Sequence, residues 1–473
     1  MSAITFGTEG WRAVMGEEFT FHNVRLVTQA ITEHFLARGA RRGRPLTVAV
    51  GYDTRFLSEQ FARAVCEVLA GNRIRSMLSD CAVPTCAVSR CVVDQHLPAG
   101  LVVTASHNPP IYNGLKVKEA YGGSATTDTV ASIERRIGRR TVARVPFEEA
   151  RAAGMVRFAN FLPAFVRGIR SFVNLQAIKR SSVHVIVDSM HGTGSRLIEG
   201  MLMGGHCRVE TIRGESDPLF GGQAPEPIAS HLVPLRQAVR QRHAALGIAN
   251  DGDADRLGIV GPDGRWLNPG QVMCVLLTHL VKTRGARGAV VKTVSNTMMI
   301  NRVADALGLR LMEVPVGFKH IAKLMLEDSV LIGGEESGGI GVQGYLPERD
   351  GIVNGLLVLE AMAMQRKSLS ALMQGLEQRY GRWFYDRRDL HLTMPQVDRL
   401  FARLQRSPPE RMAGTPVDSI NSLDGIKLIG CDDSWLLFRR SGTEPIVRVY
   451  AESSTPRRLQ QLLALGLRLT NAA

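Results

Sequence analysis

The sequence predicts an α/β protein. Short apolar runs that read as strands alternate with amphipathic stretches that read as helices, and several runs end in polar, glycine-containing loops. Leu46–Val50 leads into Gly51-Tyr-Asp-Thr-Arg55, and Gly100–Val103 into Thr104-Ala-Ser-His-Asn-Pro109. Val183–Val187 leads into Asp188-Ser-Met-His-Gly192, and Ala245–Ala249 into Asn250-Asp-Gly-Asp-Ala-Asp-Arg256. Ser329–Ile332 leads into Gly333-Gly-Glu-Glu-Ser-Gly-Gly339. Helical spacing marks Phe56–Ala70, Val233–Arg242 and Met298–Leu307. Ligands of open α/β sheets sit beyond the carboxyl ends of the strands, so these loops lie where a site belongs.

The 473 residues suggest roughly three domains, or four, at about 150 residues each. A first domain is expected to end near residue 150, after the stretch Arg139–Pro146. A second spans 151–257 and closes on the aspartate loop, a third spans 258–373, and a fourth covers 374–473, where Tyr380-Gly-Arg-Trp-Phe-Tyr385 changes the rhythm.

Hydrophobic residues make up 45% of the chain and charged residues 22%, as in ordinary globular proteins. No apolar run approaches a membrane span, and the N-terminus is polar where a signal peptide needs an apolar core; a cytoplasmic protein is expected. The seven cysteines are scattered, and Cys81, Cys86 and Cys91 lack the short paired spacing of a zinc site, so they read as reduced thiols. The net charge of +14 comes from 49 arginines and nine lysines with no basic block, and aromatics are only 6%. That pattern does not suit nucleic acid, which calls for a concentrated patch and stacking rings. It suits an anionic small substrate, or simply solvated arginines.

Four loops carry candidate chemistry. Ser106, at a sharp proline-ended turn, is a nucleophile or a turn residue; taken alone, the turn is favoured. His107 is its neighbour in sequence and poorly placed to act as its base. In an extended loop Asp251, Asp253 and Asp255 would share a face, and three such carboxylates need a cation, with oxygen ligands that suit Mg²⁺. The calcium-hand spacing fails, because Arg256 and Pro262 stand where that loop needs glycine and glutamate. Gly333–Gly339 offers a carboxylate and a hydroxyl to sugar hydroxyls, or is a surface turn. Gly339-Ile-Gly-Val-Gln-Gly344 matches a dinucleotide fingerprint, but Pro347 forbids the helix that must follow. Arg439-Arg-Ser-Gly-Thr-Glu-Pro445, with Arg448, has the planar forks, hydroxyls and exposed backbone of a phosphate cradle.

Together and in this order, the four loops resemble those of the α-D-phosphohexomutases, the phosphoglucomutase and phosphomannomutase family, and the likeness runs from about residue 4 to residue 452. The resemblance implies four domains around a central cleft, three related α/β units and a smaller C-terminal α+β unit. It implies a phosphoserine at Ser106, and Mg²⁺ held by Asp251, Asp253 and Asp255 with the serine phosphate. Arg12, Lys116 and His107 fall among the catalytic positions, Arg12 and Lys116 as acid/base and charge-stabilising groups. Glu335 and Ser337 would hold sugar hydroxyls, with Arg256, Lys319 and Arg349 as further substrate contacts. Arg439, Ser441, Gly442, Thr443 and Arg448 would grip the phosphate that is not transferred. The implied reaction interconverts hexose 1- and 6-phosphates through a hexose 1,6-bisphosphate, by a monomer or homodimer. Many dual-specificity relatives and phosphoglucosamine mutases end the sugar loop in Ser-Gly-His, whereas Gly339 stands here. With Glu335-Glu336-Ser337 and Gly317-Phe-Lys319, this leans toward glucose phosphates, ahead of mannose or glucosamine phosphates. A magnesium-dependent phosphatase and a non-catalytic sugar-phosphate sensor are the rivals from other classes.

Overall fold

The computed structural model describes residues 4–7, 9–37, 46–440 and 446–471. The described residues form four sheets, read in chain order. The first contains β1 (Gly10–Val14), β2 (Thr47–Tyr52), β3 (Arg75–Ser79), β4 (Ala99–Val103), β5 (Tyr112–Glu119) and β6 (Val156–Ala159), in spatial order β1-β5-β4-β2-β3-β6. The second has β7 (His184–Asp188), β8 (Arg208–Ile212), β9 (Leu246–Asn250), β10 (Leu257–Val260) and β11 (Trp266–Leu267), ordered β11-β10-β9-β7-β8. The third has β12 (Ala289–Thr293), β13 (Leu311–Val314), β14 (Val330–Gly334) and β15 (Ile340–Val342), ordered β13-β12-β14-β15.

Each of these sheets is parallel at its centre and gains an antiparallel strand, β5 on β4, β10 on β9 and β15 on β14, on the side where a candidate loop emerges. The fourth sheet is antiparallel throughout: β16 (Phe384–His391), β17 (Arg411–Met412), β18 (Thr415–Asn421), β19 (Ile426–Gly430), β20 (Trp435–Arg440) and β21 (Ile446–Ser453), ordered β16-β21-β20-β19-β18-β17. This is the α/β architecture with an α+β end that the resemblance implies.

The expected strands and helices form within a residue or two, for local reasons. The helix Ser58–Gly71 buries Phe61, Ala62, Val65, Cys66 and Leu69 along one stripe. The helix Gly351–Gln365 is buried on nearly every side, and Asp350 starts it by accepting the amides of Ile352 and Val353. Several elements cross the expected domain limits. β6 extends the first sheet past residue 150 by pairing with β3, and β10 and β11 carry the second sheet to Leu267, past 257. The helix Leu369–Tyr380 runs across the limit at 373. One apolar cluster runs through all three α/β units, from Val88 through Ile248 to Leu357, so those junctions lie inside a shared core and leave little mark in the sequence. Five of the seven cysteines are buried, and all are free. No helix among the described residues is long and apolar enough to cross a membrane.

The fourth unit keeps its own core of Phe438, Val449, Leu436 and Leu462. It meets the third unit through Val294, Trp435, Leu437 and Tyr450, and through polar groups. Lys427 is buried at this seam: Nζ donates to Val294 O at 2.7 Å, lies 3.5 Å from Glu313 and sits over the Trp435 ring. Burial, and then repulsion from Lys292, bring it down from 10.5 to about 8. Between those values the unfolded chain holds a proton that the folded seam does not, so this group makes stability rise with pH across that window. Lys427→Met should lose the rise, about 2 kcal/mol between pH 8 and 9.5. Thermal melts of both proteins at the two pH values measure it; parallel shifts would refute it.

Candidate active site

The serine loop leaves β4 and returns as β5. Ser106 is buried in a left-handed conformation, φ 52°. Its amide donates to Thr104 Oγ1 at 2.8 Å, and Thr104 Oγ1 donates to Asp53 Oδ2 at 2.6 Å. Ser106 Oγ donates to Asp251 Oδ2 at 2.6 Å. His107 Nδ1 is 3.5 Å from Ser106 Oγ, at the outer limit of a hydrogen bond, and burial, then Arg256 and Arg12, push its pKa well down.

The aspartate loop leaves β9 and enters β10. The three carboxylates do converge, with ligand atoms within 4.8 Å of one another, but not by the alternation of an extended chain. The loop turns: Ala254 adopts φ 60° and its amide bonds to Asp251 O. Gly252 permits the approach, since a Cβ there would lie 2.6 Å from Ser106 O. Asp253 Oδ2 accepts from Thr85 Oγ1 at 2.5 Å and Lys116 Nζ at 2.6 Å, and Asp255 Oδ2 from Lys116 Nζ at 2.7 Å and Arg349 at 2.6 Å.

Burial raises all three carboxyls. Lys116 more than offsets this at Asp253, and Arg349 with Lys116 at Asp255, so both end lowered. Asp251 stays well above its ordinary value, raised by burial and then by its two neighbours. Asp253 Oδ1 and Asp255 Oδ1 are buried with no hydrogen-bond partner. Orphaned carboxylate oxygens beside a carboxyl that resists ionisation fit a hard divalent cation with oxygen ligands. This group of residues could hold Mg²⁺.

The cations come from several units. Arg12 on β1 and Lys116 on β5 share a face, each opposite a glycine, in the pairs Arg12↔Gly114 and Gly10↔Lys116. Arg12 donates to Asn108 Oδ1 at 2.9 Å. Glu9 lies beside Arg12, Lys116 and Arg349; against the upward push of burial, Arg349 and then Lys116 bring it to about 2. Arg256 lies 3.6 Å from Glu226. Lys319 is half-buried in the first turn of the helix Phe318–Glu327, after Gly317 at φ 131°.

Glu335 is buried, and burial pushes its carboxyl up to about 7 against the opposing charge of Arg349. Ser337, two residues on, is half-buried. Arg349, expected among the substrate contacts, lies deep between the units. It is 1% exposed and pairs with Glu9, Asp255 at 2.6 Å and Glu335 at 3.0 Å, a hub joining the first three units.

From the fourth unit, Arg439 Nε donates to Asp424 Oδ2 at 2.7 Å, and the same oxygen accepts the amide of Val316, close to Lys319. Arg448 Nε lies 3.8 Å from Asp389. Ser441, Gly442 and Thr443 fall outside the described residues. Sequence reasoning missed Arg387. The pairs Arg387↔Tyr450, Asp389↔Arg448 and Arg439↔Arg448 place it on the sheet face that carries Arg439 and Arg448. It missed Glu9 and Thr85 as well, since neither stands in one of the four candidate loops.

Comparison with known proteins places this arrangement. Family profiles described as phosphoglucomutase/phosphomannomutase α/β/α domains I, II and III match residues 3–143, 163–264 and 268–380, and the C-terminal domain matches 418–465. A Thermus thermophilus structure assigned as a phosphomannomutase is 34% identical and superposes with a TM-score of 0.87, covering 99% of both chains. A phosphoglucomutase/phosphomannomutase of Thermococcus kodakarensis is 29% identical over 99% of this chain and 98% of its own length. A phosphoglucosamine/phosphogalactosamine mutase of Sulfurisphaera tokodaii is 28% identical over 95% of each. Fold and relatives define an intramolecular phosphotransferase, an isomerase of sugar phosphates. The chain belongs to the phosphoglucomutase/phosphomannomutase family.

Proposed function

We propose that this mutase interconverts the 1- and 6-phosphates of a hexose, glucose foremost, through phospho-Ser106 and a hexose 1,6-bisphosphate. The observation that carries the reading is Ser106 Oγ placed 2.6 Å from Asp251, within a buried aspartate cluster spanned by Lys116. In the first transfer the Ser106 O–P bond breaks as a sugar hydroxyl oxygen bonds phosphorus, and the hydroxyl proton passes to the protein. The bisphosphate turns over in the cleft, its other phosphate returns to Ser106, and the freed sugar oxygen recovers a proton.

Asp251, Asp253 and Asp255, with the serine phosphate, would hold Mg²⁺, which would supply charge stabilisation to the transferring oxygens. Arg12 and Lys116 add fixed positive charge and the acid/base function at the same end. Glu335 and Ser337 contact the sugar hydroxyls, and Arg256 and Lys319 line the cleft. Arg439, Ser441, Gly442, Thr443 and Arg448 hold the other phosphate, with Arg387 on the sheet face of Arg439 and Arg448. Arg349 sets the separation of Glu335 from Asp255.

Glucose rests on the sugar loop. Gly339 stands there without a side chain, and a Cβ would run into the Arg349 stem and lie 3.1 Å from Glu335 Oε2, so the position fits glycine. A mannose or glucosamine phosphate is the second reading, supported by the names of the Thermus and Sulfurisphaera relatives.

A coupled assay with glucose, mannose and glucosamine 1-phosphates tests it. Glucose and mannose differ only at C2, and packing around a ring supplies about 1–3 kcal/mol, roughly ten- to two-hundredfold in kcat/KM. Mannose 1-phosphate should therefore be turned over, but more slowly. Ser337→Ala should lower both to a similar degree, because it removes a shared contact. A tenfold preference for mannose or glucosamine phosphate would overturn the glucose assignment.

A further inference from the structure

The loop that follows β2 has no part in the reading above, yet its arginine is wholly withdrawn from solvent: the Arg55 side chain is 0% exposed. A buried guanidinium is costly unless it is paired with an opposite charge and most of its donors are met. Here one nitrogen donates to Ser106 O at 2.7 Å and Asn108 O at 2.6 Å, the other to Pro109 O at 2.8 Å and Tyr112 O at 3.0 Å. Its Nε lies 3.2 Å from Asp53 Oδ2.

Asp53 in turn accepts from Thr104 Oγ1, the group that takes the Ser106 amide. One ion pair therefore holds both ends of Ser106, the carbonyl directly and the amide through Thr104. The left-handed backbone at φ 52° needs such restraint, since a serine free to relax leaves that region. From the second unit, the Phe220 ring covers the guanidinium, 4.9 Å from its carbon, and Gly252 of the aspartate loop packs against the same Ser106 carbonyl.

We propose that Arg55, with Asp53, is the positioning residue that sets Ser106 Oγ against the aspartate loop across the junction of the first two units. The inference rests on the reading of Ser106 as the phosphoryl carrier. Arg55 is sealed from the cleft and touches no substrate, so its effect belongs in kcat and not in KM. Lysine keeps the charge, but its single nitrogen cannot serve the four carbonyls that the two guanidinium nitrogens reach.

The experiment is steady-state kinetics of Arg55→Lys, with phosphate on Ser106 followed by intact mass and exchange of the 104–112 amides followed by deuterium uptake. Expected are phosphate uptake, a KM within about threefold, faster exchange confined to that peptide, and a kcat lower by about ten- to a hundredfold, since a misplacement of about 1 Å costs up to about 10²-fold. A kcat within twofold of the wild type overturns the inference, as does a loss carried by KM. Should Arg55→Lys not fold, Asp53→Asn decides: it removes the carboxylate that pairs with Arg55 and accepts from Thr104, and it should lower kcat about three- to tenfold at constant KM. No change in kcat there overturns the inference. Wild-type turnover without any phosphate on Ser106 would instead defeat the carrier reading, whereas a phosphorylated wild type beside a full-speed Arg55→Lys defeats this inference alone.

Discussion

Ser106→Ala is expected to lower turnover by at least about 10⁴-fold, the scale on which removing a nucleophile abolishes covalent catalysis. Added hexose 1,6-bisphosphate should not restore it, because the variant has no oxygen to receive a phosphoryl group. The fold should survive. Ser106 Oγ makes one strong contact, to Asp251, and the loop is held through the backbone by Thr104 and Arg55. Losing a buried hydrogen bond of this kind costs about 1–2 kcal/mol. A coupled assay with and without the bisphosphate, alongside a thermal melt, measures both halves. The wild type should carry less than one phosphate per chain, mapped to the Ser106 peptide, because stray release of the intermediate leaves some enzyme empty. Activity of Ser106→Ala near the wild-type level would refute the covalent mechanism.

The loops were legible because their chemistry is local. Hydroxyl, carboxylate and guanidinium groups cluster within a few residues, at strand ends where α/β sheets place their ligands. What was not legible depends on partners far away in sequence. Arg349 reads as a basic residue near a sugar loop, and only the fold brings it against Glu9, 340 positions earlier, and Asp255. Arg55 sits in a loop noted for its polarity, but its four acceptors are backbone carbonyls, which any residues would supply. Arg387 became visible through strand register alone, since its place beside Arg448 comes from pairing across β16 and β21. The aspartate loop shows the mixed case. Convergence of the three carboxylates was readable from their spacing, whereas the turn at Ala254 that produces it was not, because alanine gives no signal for a positive φ.

The same loop separates residues that the sequence treats as equivalent, and Asp253→Asn is expected to expose the difference. Turnover should fall about 10²–10³-fold in saturating Mg²⁺, the scale of losing one electrostatic element at a developing charge. Three clustered carboxylates suggest that removing any one relieves repulsion, but Asp253 is the wrong one for that. Burial raises it, yet Lys116 at 2.6 Å brings its pKa below the ordinary value. A lowered folded pKa means the ionised group contributes stability above its unfolded value of 3.8, a contribution lost as pH falls through the folded value. Asp253→Asn should therefore melt lower than the wild type at pH 7 in chelator, with Lys116 left on Asp255 and Glu9.

Asp251 has the opposite sign. Its folded pKa is raised, so its contribution is present below pH 3.8 and disappears as pH rises toward the folded value. At pH 7 in chelator, Asp251→Asn should melt at or above the wild type, while being as inactive as Asp253→Asn once Mg²⁺ is restored. Melting of the three proteins in chelator and in Mg²⁺, with activity measured in parallel, checks all of this. Mg²⁺ should raise the midpoint of the wild type and raise those of the variants much less, because a ligand stabilises only the state that binds it. Full wild-type activity in chelator would remove the metal from the mechanism, and equal melting shifts for the two variants would remove the distinction between the aspartates.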